Sequence, residues 1–200
     1  MRWIILVLLA VAVFIAMRFG KKAGENTRAA QMMKKYAALD AETLATVPEG
    51  EVADAIVSRV LSETEKYRPA DPLKALSEMQ HGYTVVYSVW VLCKELAAGN
   101  FETLMHGYSA PVVELAESGF SAIGATVCAE ALTALRRAYA AQQDAETEND
   151  EAYAAAEQAM HTAIESECPL GLCETYARER PDEFFAADLP EDAPAEEIGE

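Results

Sequence analysis

Residues 83–93, YTVVYSVWVLC, form an eleven-residue run without a single charge. A run this apolar gains most by burial, so the body of the protein has to be built around it. It is too short to cross a bilayer, which takes about 20 apolar residues in a helix. Its Val-rich content suits a strand as well as a helix, and periodicity does not separate the two. The residues that follow favour a helix. Lys94-Glu95-Leu96-Ala97-Ala98 continues the run with good helix formers, and Gly99 is placed to close it.

Helical patterns and their stops divide the rest of the body. Thr46-Val47-Pro48-Glu49-Gly50 is a break. Residues 51–68 then carry Val52, Ile56, Val57, Val60 and Leu61 on one helical stripe, ended by Pro69 and Pro72, with Asp71 a cap for the next helix. Phe101 to His106 make one or two turns. Ser109 and Pro111 begin a helix that runs to about Ser118 and stops at Gly119. Residues 121–141 form a long Ala-rich helix with Ile123, Val127, Leu132 and Leu135 turned inward, followed by an acidic loop at 144–150. A helix over 151–167 breaks at Cys168-Pro169-Leu170-Gly171, a short helix covers 172–180, and Pro181 opens a last turn through Phe185. No hairpin-joined strand pair and no internal repeat occurs. The expectation is an all-α chain, a compact bundle of about six to eight helices with an N-terminal transmembrane helix.

That last element is residues 3–17, WIILVLLAVAVFIAM, fifteen positions without charge. At about 1.5 Å per residue they cover roughly 22 Å, and the flanking residues with snorkelling Arg2 and Arg18 extend this towards the 30 Å of a bilayer core. A cleaved signal peptide is the competing reading, with Ala10-Val11-Ala12 in small-x-small form, but that triplet lies inside the apolar run. Arg18, Lys21, Lys22, Arg28, Lys34 and Lys35 follow the run and act as a stop signal. One base before the run and six after it place the body on the cytoplasmic side. The division expected is an anchor over 1–20, a basic neck or linker over 21–49, an acidic helical domain over 50–187 and a disordered acidic tail over 188–200.

Charge follows this division. The chain has 16 basic and 33 acidic residues, a net charge of −17. Residues 1–35 are net +6, whereas residues 141–200 carry 18 acids against Arg178 and Arg180 alone. Direct binding to nucleic acid needs Lys and Arg on the phosphates and is excluded for such a body. A basic protein partner suits it, through Asp144, Glu146, Glu148, Asp150, Glu151, Glu165 and Glu167. Acidity that serves solubility alone is the plainer account.

Motifs for enzymatic chemistry are sparse. There is no Gly-x-Gly-x-x-Gly and no P-loop, and Gly107-Tyr108-Ser109-Ala110-Pro111 lacks the closing Gly of a nucleophile elbow. His161, Cys168 and Cys173 could serve a hydrolase or hold zinc, but a fourth ligand is not apparent. Two small buried thiols are the default for Cys168 and Cys173, a disulfide between them would suit a body outside the cytoplasm, and Cys93 and Cys128 belong to the core. No cofactor and no metal is expected.

Three short segments point to a family. Glu95-Leu96-Ala97-Ala98-Gly99-Asn100-Phe101 resembles the Glu-Val-Asn-Asn-Gly-Gly-Phe signature of the bacterial DNA-mimic-protein-like domain. Ile123-Gly124-Ala125 with Ala131-Leu132 resembles the segment that comes next in that pattern, and Tyr176 through Pro181 to Phe184-Phe185 is similar to its closing segment. The likeness covers about 75–186. In physical terms Gly99 ends a helix in a left-handed turn, Phe101 plugs the core behind it, and Gly124 lets helices pack closely. The resemblance implies an all-helical, non-enzymatic domain that binds proteins, its best-known type presenting carboxylates in place of DNA phosphates. Taken with the N-terminal run, it implies a single-pass protein of a bacterial inner membrane.

Overall fold

The structure, a computed structural model, describes residues 28–106, 110–144 and 150–185; side chains of Asp144 and Asp150 are not described. Helix α1 is described over 28–36, followed by α2 (Ala41–Thr46), α3 (Val52–Thr64), α4 (Pro72–Ser77) and α5 (His81–Ala97). Beyond these lie α6 (Phe101–His106), α7 (Ala110–Ala122), α8 (Thr126–Asp144), α9 (Asp150–Glu167), α10 (Pro169–Glu179) and a 3-10 turn, Pro181–Glu183. No strand occurs among the described residues. No described helix is long and apolar enough to cross a membrane. The anchor expected over 1–20 and the tail expected over 188–200 lie outside the described residues, as does Ser109.

The apolar run of the sequence is the central helix, α5. It packs most extensively on α7 and α3, and also meets α4, α6, α9 and α10. Val86, Val89 and Leu92 on it are fully buried. The α8–α9 pair is the second large contact of the fold. One core runs through the whole, from Tyr36 and Leu39 through Leu44, Val47 and Val52 to Phe184. The packed body therefore includes residues that precede the Pro48-Glu49-Gly50 break.

Two motif glycines end helices. Gly99 has φ +71°, its N–H donates to Leu96 O and the Asn100 N–H donates to Glu95 O, at 3.0 and 2.9 Å. Gly124 repeats the arrangement at φ +81°, with Gly124 N–H to Ser121 O and Ala125 N–H to Phe120 O. This pairing of bonds is the Schellman motif, which closes a helix only when one residue turns left-handed. Gly124 was expected to let helices approach; no atom lies within 4 Å of where its Cβ would be, so it serves the turn alone.

Gly119 was expected to end a helix, and instead lies buried inside α7. A Cβ there would sit 3.0 Å from Val89 Cγ2, 3.1 Å from Ser88 Oγ and 3.2 Å from Val85 O. The missing side chain is what lets α7 lie close on α5. The helix expected over 121–141 accordingly starts later, at Thr126, because the turn at Gly124 precedes it. Val127 was expected to face inward and is 50% exposed, because the buried stripe of α8 runs through Cys128, Leu132, Leu135 and Tyr139 and Val127 lies about 100° off it.

Candidate protein-interaction surface

Many carboxylates in the body are engaged by the fold. Asp40 and Asp71 cap α2 and α4, their Oδ1 atoms accepting from Thr43 N–H at 2.7 Å and Lys74 N–H at 3.0 Å. Asp54 accepts the Trp90 indole N–H at 2.7 Å. Glu63 is held between Arg59 and Lys66, and the hydrogen bond from Lys66 is the main cause of its lowered pKa. Glu117 takes Thr133 Oγ1 and Arg136; the Thr133 bond does most to hold its pKa down. Glu95 accepts from Asn100 Nδ2 at 2.9 Å across the Gly99 turn.

Glu167 belongs to this engaged class as well. Its two carboxylate oxygens accept from the backbone N–H groups of Val127 and Cys128, at 3.1 and 2.8 Å. The end of α9 thus caps the start of α8, which fixes the two helices antiparallel. Partial burial works to raise the Glu167 pKa, but the Cys128 and Val127 N–H bonds outweigh it and leave it lowered. A negative charge at a helix N-terminus is further favoured by the helix dipole. Although expected among the partner-binding acids, Glu167 is a helix cap.

The remaining acids form a different class. Glu130 on α8 and Glu151 and Glu165 on α9 are exposed and make no salt bridge among the described residues. Glu151 and Glu165 share the outer face of α9, since Tyr153, Met160 and Ala163 turn inward. Fourteen positions apart, they are separated by about 21 Å along the helix. Asp144 and Asp150 stand at the facing ends of α8 and α9, and Glu146 and Glu148 lie outside the described residues. The structure therefore brings Glu151 and Glu165 onto one face and turns Glu167 to the start of α8.

The motif residues close the far end of the domain. Tyr176 donates its hydroxyl to Glu183, and that bond is the main cause of the lowered Glu183 pKa. Phe184 is buried, with its ring edge-on to Tyr83 at 5.4 Å and to Tyr176 at 5.9 Å. Pro181 starts the 3-10 turn that aims Phe184 there. The first turn of α5 admits this segment because Gly82 has no side chain; a Cβ would meet Glu183 O at 2.7 Å. Phe101, as expected, is buried behind the Gly99 turn. These residues position helices, and Phe184 also lines a cleft of about 470 Å³ with Tyr83, Arg59 and Glu63.

His161, Cys168 and Cys173 are not gathered into a centre. Cys173 is fully buried, and burial drives its thiol pKa up. Cys168 is exposed, in a left-handed conformation (φ 49°) between α9 and α10, so it is not the buried thiol expected. His161 is half-exposed on α9. Among the described residues no group of three His, Cys, Asp or Glu side chains is placed to hold a metal. Cys93 and Cys128 are buried as expected, with burial pushing the Cys93 pKa up to about 12.

Sequence reasoning missed how α10 fastens the residues before α3. Arg178 donates to the carbonyls of Leu44, Ala45 and Val47, the last at 2.8 Å, and bonds Glu174. Glu174 in turn accepts the Gly50 N–H at 2.8 Å. The partners lie more than 120 residues away in sequence, and no local pattern announces them.

No curated protein and no solved structure matches the chain. One family does, described as DMP19-like protein, over residues 77–195. The matched span starts just before α5, takes in both Schellman turns and the closing Tyr176–Phe184 segment, and holds 21 acidic against five basic residues. With well over half its length in that span, the chain belongs to the DMP19-like family, the DNA-mimic family its motifs resemble.

Proposed function

We propose that this protein is a membrane-anchored, non-enzymatic interaction domain whose acidic surface recruits a basic, DNA-binding protein. The observation that carries the reading is the charge of the family-matched span, net −16, with Glu130, Glu151 and Glu165 exposed on the α8–α9 pair and in no salt bridge among the described residues. Unpaired carboxylates on rigid helices produce a field that draws a basic surface and speeds encounter. Residues 3–17 supply the anchor, and the bases that follow keep the body on the cytoplasmic side.

Strict imitation of a duplex is the finer version of this reading. Duplex DNA shows one charge per about 1.7 Å of axis, so 21 Å of it carries roughly 12 charges. The outer face of α9 carries far fewer over that length, Glu151 and Glu165 among them. A full imitation would thus draw on α8 and on Asp144, Glu146, Glu148 and Asp150 as well.

The experiment is capture of partners by the detergent-solubilised chain, followed by competition with duplex DNA. Recruitment of a basic protein that moderate salt releases is the expected result. Captured partners that are neither basic nor salt-sensitive would refute the reading. Displacement of the partner from DNA would establish mimicry, and co-binding with DNA at low salt would remove it.

A further inference from the structure

A groove of about 550 Å³ runs between α1, α3 and the end of α5. Met32, Met33, Leu61 and Trp90, all half-buried, give it an apolar floor. Arg28 and Lys94 stand on its rim, the Lys94 Nζ 5.4 Å from the centre of the Trp90 ring. Lys34 and Lys35 are exposed on the same short helix. The acids nearby are Glu51, 3.7 Å from Arg28, Asp54, held by the Trp90 indole, and Glu65, which lines an adjoining hollow with Met33 and Lys34.

We propose that this face rests on the headgroups of an anionic lipid surface, so that α1 and Trp90 meet the membrane while the α8–α9 pair is presented away from it. The inference rests on the anchoring proposed above and adds the orientation of the body. Three observations support it. An apolar floor with a tryptophan, rimmed by Arg and Lys, has the chemistry of an interfacial surface. The chain outside the described residues meets the groove at Arg28, eleven residues after the apolar run ends at Met17, a distance of at most about 40 Å. Residues 77–185, with five bases against 18 acids, would be repelled by the same surface.

The test uses the full chain carrying Trp3→Phe, which leaves Trp90 as the only tryptophan. It is reconstituted into vesicles of brominated phosphatidylcholine, with and without brominated phosphatidylglycerol. Trp90 emission is expected to shift to the blue and lose intensity when phosphatidylglycerol is present, and to recover in high salt. Adding Lys34→Glu and Lys35→Glu, both at exposed positions, should abolish the loss with the helical circular dichroism unchanged. Emission that is the same in both lipids overturns the proposal. So does a loss that the charge reversals leave untouched, which would mean that apolar insertion or the chain's own N-terminal segment fills the groove. Retention after an alkaline carbonate wash without quenching overturns this orientation alone; extraction by the wash overturns the anchor and the orientation together.

Discussion

Residues 28–76 hold seven basic and eight acidic side chains, and residues 77–185 hold five and 18. In the first region most acids have a structural partner: Asp40 and Asp71 cap helices, Asp54 holds Trp90, Glu51 meets Arg28, and Glu63 lies between Arg59 and Lys66. In the second, Glu117, Glu167, Glu174 and Glu183 are engaged in the same way, while Glu102, Glu130, Glu151, Glu165, Glu179 and Asp182 are exposed without a salt bridge among the described residues. The two regions share one hydrophobic core, so they do not differ in how they fold. They differ in what they leave on the surface: near neutrality in the first and unbalanced negative charge in the second. The excess lies in the part that defines the family.

The sharpest way to break that comparison is to ask whether the shared core is truly common. Leu44→Ala and Phe101→Ala each remove a buried side chain, one per region, and should cost about 2–5 kcal/mol. Both should lower the midpoint of one urea transition. A separate early transition for Leu44→Ala alone would make residues 28–76 an independent unit. Gly119→Val tests the α5–α7 crossing. With Val89, Ser88 and Val85 all within 3.2 Å of the new Cβ, it should cost about 1–3 kcal/mol by the same assay. Gly124→Asn, in open space at a left-handed turn, should cost less.

Glu167→Gln separates an engaged acid from an exposed one. It weakens the cap on α8, at a cost of about 1 kcal/mol at neutral pH. The Glu167 pKa is lowered in the folded protein, so its stabilisation is complete above the unfolded value of about 4.3 and is lost as pH falls through the folded value. Denaturation curves of the variant and the parent should therefore differ at pH 7 and converge in acid. The smallest effect on stability belongs to Glu130→Gln, Glu151→Gln and Glu165→Gln combined, within about 0.5 kcal/mol per site. Binding of a basic partner should nonetheless fall and lose salt dependence in a titration. Unchanged binding would leave the acids with solubility alone.

Much of the helical order was legible because its signals are local. The apolar run announced α5, Gly99 announced its end, and Asp71 announced the cap of α4 before it. Gly119 misled because a glycine in a helical pattern is as ready to stop a helix as to seat another against it, and only the neighbour distinguishes the two. Val127 was misplaced because its neighbour Cys128 continues the Leu132, Leu135 and Tyr139 stripe at helical spacing and Val127 does not. Tyr36, Leu39, Leu44 and Val47 are spaced as an inward-facing set, a signal that could have extended the body past the Pro48 break. The site was legible in charge but not in geometry. Glu167 reads like any other acid until the N–H groups of residues 127 and 128 are brought beside it.

The bonds from Glu174 and Arg178 back to Gly50, Leu44, Ala45 and Val47 also fix an order of events during synthesis. A ribosome delivers the α2–α3 corner well over 100 residues before the side chains that fasten it. Until α10 emerges, the surface of α3 that α10 covers is bare, and the nascent chain carries that sticky patch through most of translation. The early segment therefore depends on the last helix for its shelter, and a stalled or truncated product that ends before α10 should be a substrate for chaperones and proteases.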